Sequence, residues 1–353
     1  MKLKIHHLAL LGGVSLLGGC FGSDDNSTNS TDYGNETKVY AVATDYSNYA
    51  VQSVESGAAA PFKDFANTPS GGGLALSSAD GVLYIINQKT GELQAWKNSA
   101  IQFDVNVGAA SNPYQVLKVG NKLYVVRWNC NSLLVLGASK GDSIGSLDLS
   151  KSANKEGVVN PAKAAFIGGK LWILAQRMFA DYSYDSGMVI VADTGVATAP
   201  RGISLAAKDP QAIAAVGSNV YVASHGTWDT ATADGGFDLF NAATGAWTKR
   251  LSAVAIGKPA DLVAVAGNLW AIVYTDAFTT TKVAPVSTVD GSQGAAVAGL
   301  AAANTLATDG TYLWVSDRAA GDKQAVWKLN GSTGAAISSV KTAYPPAALA
   351  IVQ

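Results

Sequence analysis

Charged residues and histidines are scarce in this sequence. Only 14% of the 353 residues are charged while 48% are hydrophobic, and this balance excludes an intrinsically disordered chain. The 25 Lys and Arg residues nearly equal the 26 Asp and Glu residues, so the chain has no net positive charge with which to hold nucleic acid. We therefore expect no nucleic-acid partner.

Histidine and cysteine are too few for several kinds of catalytic site. His6 and His7 lie at the start of the chain, and only His225 remains beyond it. A site with three histidine ligands is thereby excluded for the rest of the chain, and a Ser-His-Asp hydrolase would depend wholly on His225. Neither Cys20 nor Cys130 belongs to a Cys-x-x-Cys-His sequence for haem attachment, and we expect no cofactor. Cys130 fits either a small buried residue or a reactive thiol.

The first 19 residues have the order of features found in a secretory signal peptide. Lys2 and Lys4 give a positive start, and residues 8–17 form an apolar stretch that is too short to span a bilayer, which takes about 20 residues. The run Leu17-Gly18-Gly19-Cys20 then resembles the lipobox of bacterial lipoproteins. This resemblance implies that residues 1–19 are removed and that Cys20 carries acyl chains. Because Phe21 rather than aspartate follows the cysteine, it also implies the outer membrane.

The segment that follows has little to bury. Residues 20–38 are rich in Ser, Asn, Asp, Thr and Gly, a composition that predicts a flexible tether behind the lipidated cysteine. With Cys20 lipidated, Cys130 has no partner for an intrachain disulfide. We therefore divide the chain into a signal peptide (1–19), a lipidated cysteine with its tether (20–38) and one folded domain (39–353).

A repeat organises the folded domain. Its signature is a turn, usually with glycine, and then an aliphatic–aromatic pair that opens a β-rich strand, as in Gly120-Asn121-Lys122-Leu123-Tyr124. The aromatic residues recur every 40 to 49 positions. They are Tyr40, Tyr84, Tyr124, Trp172, Tyr221, Trp270 and Trp314. Seven copies of one supersecondary unit predict seven copies of one small sheet.

Each unit has room for four short strands. In the fifth copy we predict strands at 210–216, 219–224, 236–241 and 246–254, and proline introduces several units, where its missing N–H is tolerated. Four strands in 40–50 residues, repeated, are typical of a β-propeller blade. The chain begins after the tether with a second strand and ends, at residues 344–353, with a first strand. We therefore predict an all-β, seven-bladed propeller of four antiparallel strands per blade, closed by pairing of the C-terminal strand with the N-terminal strands.

This periodic pattern resembles the seven-bladed propellers of the YVTN, NHL and quinoprotein-like type. The resemblance covers residues 39–353, and Thr90-Gly91, Thr244-Gly245 and Thr333-Gly334 echo the Thr-Gly hairpin of such repeats. It implies the fold and leaves the function open, because propellers serve both binding and catalysis.

The topology predicts a candidate ligand face. In an antiparallel blade the second strand ends where the first began, so the loops after the second strands should surround one mouth of the channel. Every blade contributes a polar or aromatic side chain there, and the stretches 178–186 and 226–235 enlarge one side. The candidate residues are Asp45, Asn87, Arg127, Trp128, Gln176, Arg177, His225, Trp228, Tyr274, Asp276, Asp317 and Arg318. Aromatic planes beside Asp, Arg and Gln suit a peptide or a glycan.

Three functions remain open on the sequence alone. The leading hypothesis is a lipid-anchored, non-enzymatic binding or scaffold propeller on the outer membrane, with an envelope protein, peptide or glycan as partner. The alternative is a propeller enzyme, lactonase-, lyase- or quinone-dehydrogenase-like, with a metal or quinone at the channel mouth. A structural adhesion protein, with a large exposed aromatic patch, is the third. None of the candidate residues is assigned a catalytic or metal-binding role.

Overall fold

The computed structural model describes residues 37–45, 48–55, 63–66, 73–194, 199–227, 234–251, 257–275, 280–319 and 323–353. Within these residues the chain forms 27 β-strands in seven antiparallel sheets, with two short 3-10 helices at Ala109–Ser111 and Ser150–Ser152. The innermost strand of each sheet contacts the innermost strand of the next, and the last contacts the first. The predicted seven-bladed propeller is thereby confirmed.

The blades are numbered from the one that contains the first strand, and each is given from the centre outwards. Blade 1 is β27 (Pro346–Val352), β1 (Lys38–Thr44), β2 (Tyr49–Glu55) and β3 (Lys63–Ala66); blade 2 is β4 (Leu74–Ala79), β5 (Val82–Asn87), β6 (Glu92–Lys97) and β7 (Ala100–Asn106). Blade 3 is β8 (Pro113–Val119), β9 (Lys122–Arg127), β10 (Ser132–Gly137) and β11 (Ser143–Asp148); blade 4 is β12 (Pro161–Ile167), β13 (Lys170–Ala175), β14 (Met188–Asp193) and β15 (Arg201–Ser204). Blade 5 is β16 (Pro210–Val216), β17 (Asn219–Ser224), β18 (Gly236–Asn241) and β19 (Trp247–Leu251). Blade 6 is β20 (Lys258–Val265), β21 (Asn268–Tyr274) and β22 (Thr281–Val286); blade 7 is β23 (Ala303–Thr308), β24 (Tyr312–Asp317), β25 (Ala325–Asn330) and β26 (Ala336–Lys341).

The two ends of the folded domain meet in blade 1. Strand β27 supplies the innermost strand of that blade and pairs antiparallel with β1, from Lys38 opposite Val352 to Ala43 opposite Pro346. This pairing confirms the predicted closure of the ring. It gives each end of the domain a partner, so neither β1 nor β27 is left as an open inner edge.

The repeated aromatic residues all lie in the second strand of a blade and are buried, with exposures of 0–6%. Trp172 shows how they are held. Its ring meets Phe240 of blade 5 edge-on, with centroids 5.7 Å apart, and its Nε1 donates to the Ile167 carbonyl at 3.0 Å. Each blade therefore packs an aromatic side chain against its neighbours, which is why the sequence repeats this residue type.

Blade 5 follows the sequence prediction closely. Strands β16, β17 and β18 have the predicted bounds, and β19 is described at Trp247–Leu251, within the predicted range 246–254. Residues 252–254, the rest of the predicted fourth strand, lie outside the described part of the chain.

Blade 6 departs from the four-strand pattern, because only three strands are found in its described residues. The outward-facing carbonyl of Pro285 in β22 accepts a hydrogen bond from Gly294 N at 2.9 Å. Since proline has no N–H, a regular fourth strand would lack the matching donor at this position. The stretch after β22 instead covers the edge irregularly, with one further bond from Val297 N to the Val283 carbonyl at 2.8 Å.

The predicted signal peptide, the lipidation site at Cys20 and nearly all of the predicted tether fall within residues 1–36, which lie outside the described residues. The division of the chain at residues 19 and 38 therefore stays a prediction.

Replacing Trp172 tests whether the repeated aromatic residues hold the blades together. We expect Trp172→Ala to lower the free energy of unfolding by about 3–5 kcal/mol, because it leaves a cavity between blades 4 and 5. Tyr182, which is 78% exposed, gives a control in which Tyr182→Ala changes stability by less than about 0.5 kcal/mol. Urea denaturation measures both variants. A loss smaller than about 1 kcal/mol in Trp172→Ala would contradict this account.

Candidate binding face

We name the side of the ring that carries the loops between second and third strands the loop face. In five blades the amide after the second strand donates a hydrogen bond of 2.8–3.0 Å to the carbonyl just before the first strand. The donor and acceptor residues are Gln88 and Gly73, Trp128 and Asn112, Gln176 and Asn160, His225 and Asp209, and Arg318 and Ala302. The loops therefore lie beside the inter-blade connections around one mouth of the channel. The use of this face for a ligand stays a prediction.

Six of the seven inner strands begin at this mouth with a β-bulge. In blade 3, Pro113 pairs with Arg127 and Gln115 with Val126, so Tyr114 is an extra residue in the inner strand. The same register shift occurs at the start of β12, β16, β20, β23 and β27. A bulge redirects the extra side chain, and in blade 3 that side chain is a tyrosine.

Tyr114, Trp128 and Gln176 form an aromatic patch on the loop face. The rings of Tyr114 and Trp128 lie with centroids 6.4 Å apart, and the Trp128 Nε1 donates to Gln176 Oε1 at 2.6 Å. Burial raises the pKa of Tyr114, and the negative charge of Asp209 acts in the same direction. The structure thus brings together two predicted residues from neighbouring blades, and adds Tyr114, which the sequence analysis missed.

The stretch after Arg177 forms a small hairpin, which we name the tyrosine hairpin (residues 178–184). Met178 and Tyr184 form an isolated bridge, and Phe179 N donates to the Ser183 carbonyl at 2.8 Å. Its tip carries Tyr182, which is 78% exposed.

Arg177 braces the base of the tyrosine hairpin. Its guanidinium donates to the Ser186 carbonyl at 3.0 Å and forms an ion pair with Asp185 at 2.9 Å. The Lys155 ammonium lies 5.0 Å from the centroid of the Phe179 ring. These contacts fix the hairpin whose tip carries the exposed Tyr182.

His225 is buried below the loop face, with 1% exposure. Its ring meets Tyr274 edge-on at 5.8 Å, and its Nδ1 lies 3.9 Å from Oδ2 of the fully buried Asp209, which is too far for a hydrogen bond. Burial, together with the positive charge of Lys258, lowers the pKa of His225 to about 4. His225 is therefore a neutral interior residue at pH 7 rather than an exposed group at the mouth.

Other predicted residues hold the loops that they begin, mostly through hydrogen bonds to backbone groups. Asn87 Oδ1 accepts hydrogen bonds from the Lys89 and Thr90 amides, and Asp317 Oδ1 accepts from the Ala302 and Ala319 amides. Arg127 donates to the Val107 carbonyl and to Ser132 Oγ. The exposed Asp45 accepts from the Asn48 amide. Asn87 and Asp317 are 2% exposed. These two side chains are engaged in the fold and lie below the surface that a ligand would meet. Arg318 is half-buried.

Trp228 and Asp276, the remaining predicted residues, lie outside the described residues.

The structure also places an ion pair that the sequence analysis missed. Lys163 of β12 reaches Asp261 of β20, two blades further round the ring, with Nζ and Oδ1 3.1 Å apart. Asp261 Oδ2 accepts from the Leu306 amide of blade 7 at 2.8 Å, so one carboxylate links three inner strands. The available signal was a charged residue two positions after proline in an otherwise apolar first strand, in both Pro161-Ala162-Lys163 and Pro259-Ala260-Asp261.

In the described part of the chain, no three His, Cys, Asp or Glu side chains lie close enough together to hold a metal ion. Cys130, in the turn after β9, is partly buried.

No family model matches the chain, and no curated protein matches it. Solved structures do. A putative 6-phosphogluconolactonase from Bacteroides fragilis aligns over 92% of this chain and 100% of its own, with a TM-score of 0.63 and 12% identity. A catalytically inactive virginiamycin B lyase from Staphylococcus aureus, solved with quinupristin, aligns over 81% and 93%, with a TM-score of 0.59 and 11% identity. A chain of a nidogen/laminin complex aligns over 90% and 98%, with a TM-score of 0.51 and 11% identity. At these identities the likeness shows the fold alone.

The burial of His225 predicts a dependence of stability on pH. Its folded pKa of about 4 lies below the ordinary value of 6.5, so between these values the unfolded chain binds more protons than the folded one. Stability should therefore be complete above pH 6.5 and fall as the pH drops from 6.5 towards 4, by on the order of 1–2 kcal/mol between pH 7 and pH 5. Urea denaturation at a series of pH values measures this slope.

His225→Asn is the matched variant for that measurement. It removes the titrating group and should flatten the slope between pH 7 and pH 5, while Asp238, a buried acid whose pKa burial raises, contributes equally to both proteins. An unchanged slope in His225→Asn would show that other groups cause the pH dependence.

Proposed function

We propose that this protein is a lipid-anchored, non-enzymatic binding propeller of the bacterial cell envelope. In this proposal Cys20 holds it on the outer membrane, and the loop face binds a protein, peptide or glycan. The observation that carries the proposal is the tyrosine hairpin, which presents Tyr182 at 78% exposure from a base fixed by Arg177 and Asp185.

An exposed tyrosine on a fixed base suits recognition. Tyrosine, tryptophan and arginine dominate the residues whose loss weakens protein interfaces most, and a tip held in place loses little conformational freedom on binding. The hairpin follows Gln176, which accepts the hydrogen bond from Trp128. Tyr182 and the half-buried patch of Tyr114 and Trp128 therefore belong to adjoining parts of one face. The nidogen/laminin complex shows a chain of this fold in a protein complex, which fits a protein partner in a general way.

The engagement of the polar side chains supports binding over catalysis. Asn87 and Asp317 accept backbone hydrogen bonds below the surface, and His225 is neutral and buried. A general base has to reach the proton that it removes, and these groups lie away from the surface that a substrate would meet. The competing proposal is a propeller enzyme with a metal or quinone at the mouth. Metal analysis and an absorbance scan of the purified protein separate the two, and a stoichiometric metal or quinone would overturn the binding proposal.

Attachment to the membrane is proposed from the order of features at the start of the chain. The positive residues, the short apolar stretch and Leu17-Gly18-Gly19-Cys20 occur in the order of a lipoprotein signal. In the part of the chain that the structure describes, no helix has the length and apolar character needed to cross a bilayer.

Cys20→Ser tests the anchor. We expect the wild-type protein to incorporate labelled palmitate and to sediment with membranes, and the serine variant to lose the label and leave the membrane fraction, because the acyl chains supply the attachment. Cys130→Ser is the matched control and should keep both properties. Labelling that persists in Cys20→Ser would contradict the proposal.

Tyr182→Ala with Trp128→Ala tests the loop face. Intact protein is cross-linked in membranes, purified and compared with the wild type for its co-purifying proteins and glycans. We expect the double variant to retain less than about a tenth of the wild-type partner, which matches the loss of one or two interface anchors. Ile337→Ala is the control, because Ile337 is an exposed residue in the outer strand of blade 7. This variant should retain as much of the partner as the wild type does. Equal recovery in all three proteins would place the binding surface elsewhere.

A further inference from the structure

A cleft of about 240 Å³ opens between blades 3 and 4 on the side opposite the loop face, which we name the turn face. Its lining comes from both blades and is mixed, with apolar side chains in the walls and polar groups at the rim. The wall residues that matter below are Tyr124, Ile144, Leu147 and Leu171, and the rim residues are Lys122 and Asp193. None of them belongs to the candidate binding face.

The cleft exists because of one residue type at one position of the repeat. In blades 2 to 5 this position is the fourth-strand residue that pairs with the third-strand residue opposite the repeated aromatic. The registers place Phe103 there in blade 2, Gly145 in blade 3, Arg201 in blade 4 and Lys249 in blade 5. Blade 3 is thus the one among these four that has no side chain at this position.

The other three side chains close the gap to the next blade. The ring of Phe103 lies so close to blade 3 that a Cβ on Gly141 would stand 2.6 Å from its Cδ2. Arg201 donates to the Gly245 carbonyl of blade 5 at 2.8 Å, and Lys249 donates to the Val289 carbonyl after blade 6 at 2.8 Å. A Cβ on Gly145, by contrast, would meet no atom within 4 Å. The cleft between blades 3 and 4 is therefore the site that a phenyl ring fills between blades 2 and 3.

The cleft continues as a groove beside the outermost strand of blade 3. A second cavity, of about 190 Å³, shares Leu147 with the first and extends past Lys151 to Pro200. Strand β11 pairs with β10 on its inner side, and its first four residues, 143–146, are exposed. An extended segment could lie along β11 and hydrogen-bond to its outer edge while a side chain enters the cleft.

The charges at the rim favour an acidic segment. Lys170 forms an ion pair with Asp193 at 2.6 Å, so the carboxylate at the rim is already balanced. Asp148 and Lys151, which line the second cavity, carry opposite charges, so Lys122 leaves one positive charge beside the entrance. A carboxylate in the bound segment would be attracted to it, by an amount that salt reduces.

We propose that the cleft between blades 3 and 4 is a second binding site, which takes an aromatic side chain of an extended, acidic peptide segment of a partner protein. The aromatic ring occupies the space left by Gly145, as Phe103 occupies the equivalent space in blade 2. The segment runs along β11, with its acidic residues near Lys122. This site is independent of the loop face.

The test is a titration of the purified protein, labelled in its Ile, Leu and Val methyl groups, followed by nuclear magnetic resonance. The probe is a capped Asp-Phe-Asp tripeptide, and the capped Asp-Ala-Asp tripeptide is its control. We expect the methyl signals of Ile144, Leu147 and Leu171 to shift saturably with the phenylalanine peptide, because the ring lies against them. The alanine peptide should leave them in place, and equal shifts with both peptides would overturn the proposal.

Two variants make the test specific to the cleft. Ile144→Asp places a repelling charge at a residue that is 50% exposed, and should weaken binding at least tenfold. Ile101→Asp, at 48% exposure in the outer strand of blade 2, is the matched control and should bind like the wild type. Unaltered binding by Ile144→Asp, in a protein whose remaining methyl signals are unchanged, would overturn the assignment.

Phe103→Ala is expected to add a binding site, and a loss of stability alone would not produce such a gain of binding. Phe103 packs in one buried cluster with Leu123 and Leu136. Removing its ring should create a second cleft, so the phenylalanine peptide should now shift the Leu123 and Leu136 methyl signals as well. If a folded Phe103→Ala protein showed no added shift, this result would contradict the role given to this position.

Shifts of the cleft methyl groups with protein concentration alone would identify a second copy of the chain as the occupant and overturn the peptide proposal.

Discussion

The pairing of β27 with β1 is the contact on which the other features of the propeller depend. It joins residues that are more than 300 positions apart, Lys38 opposite Val352, and it turns a row of seven sheets into a ring. Side chains of both neighbouring blades then hold β27 in place. Ser78 of blade 2 donates to the Ile351 carbonyl, and Thr305 of blade 7 donates to the Ala347 carbonyl at 3.1 Å. Without this strand, β1 would have an open inner edge and the inner strands of blades 2 and 7 would lose a shared neighbour.

The same principle extends around the ring, where polar side chains of the inner strands hold the backbone of the next blade. Gln115 both donates to and accepts from the backbone of Ala164, at 3.0 and 2.8 Å, and Asp261 accepts from the Leu306 amide. Such bonds satisfy backbone groups at the inner edge of each blade, where no further strand pairs. These polar residues at the centre of the fold therefore serve to join neighbouring blades, and their presence alone does not indicate a ligand site.

Much of the fold could be predicted from the sequence because its signals are local. Three strands of blade 5 have the predicted bounds, and the aromatic residues at 40-to-49-residue spacing all lie in second strands. The role of individual polar residues could not be predicted in this way. Asn87 and Asp317 end their strands as expected, yet their oxygens accept nearby backbone amides and lie buried. The Lys163–Asp261 pair depends on the diameter of the closed ring. Predicting the cleft requires the strand registers, because only they show that Gly145 and Phe103 occupy equivalent positions. Neither relation is visible in a single segment.

Hydrogen exchange on a chain that lacks residues 346–353 is the most direct test of the central claim. In the full-length protein we expect the amides of β1 to be among the slowest to exchange, because this strand is buried and paired on both sides. In the shortened chain they should lose protection together with those of β4 and β23, while β13 in blade 4, far from the break, keeps most of its protection. Full protection of β1 in the shortened chain, with an unchanged midpoint of urea unfolding, would contradict the claim that closure of the ring holds the fold.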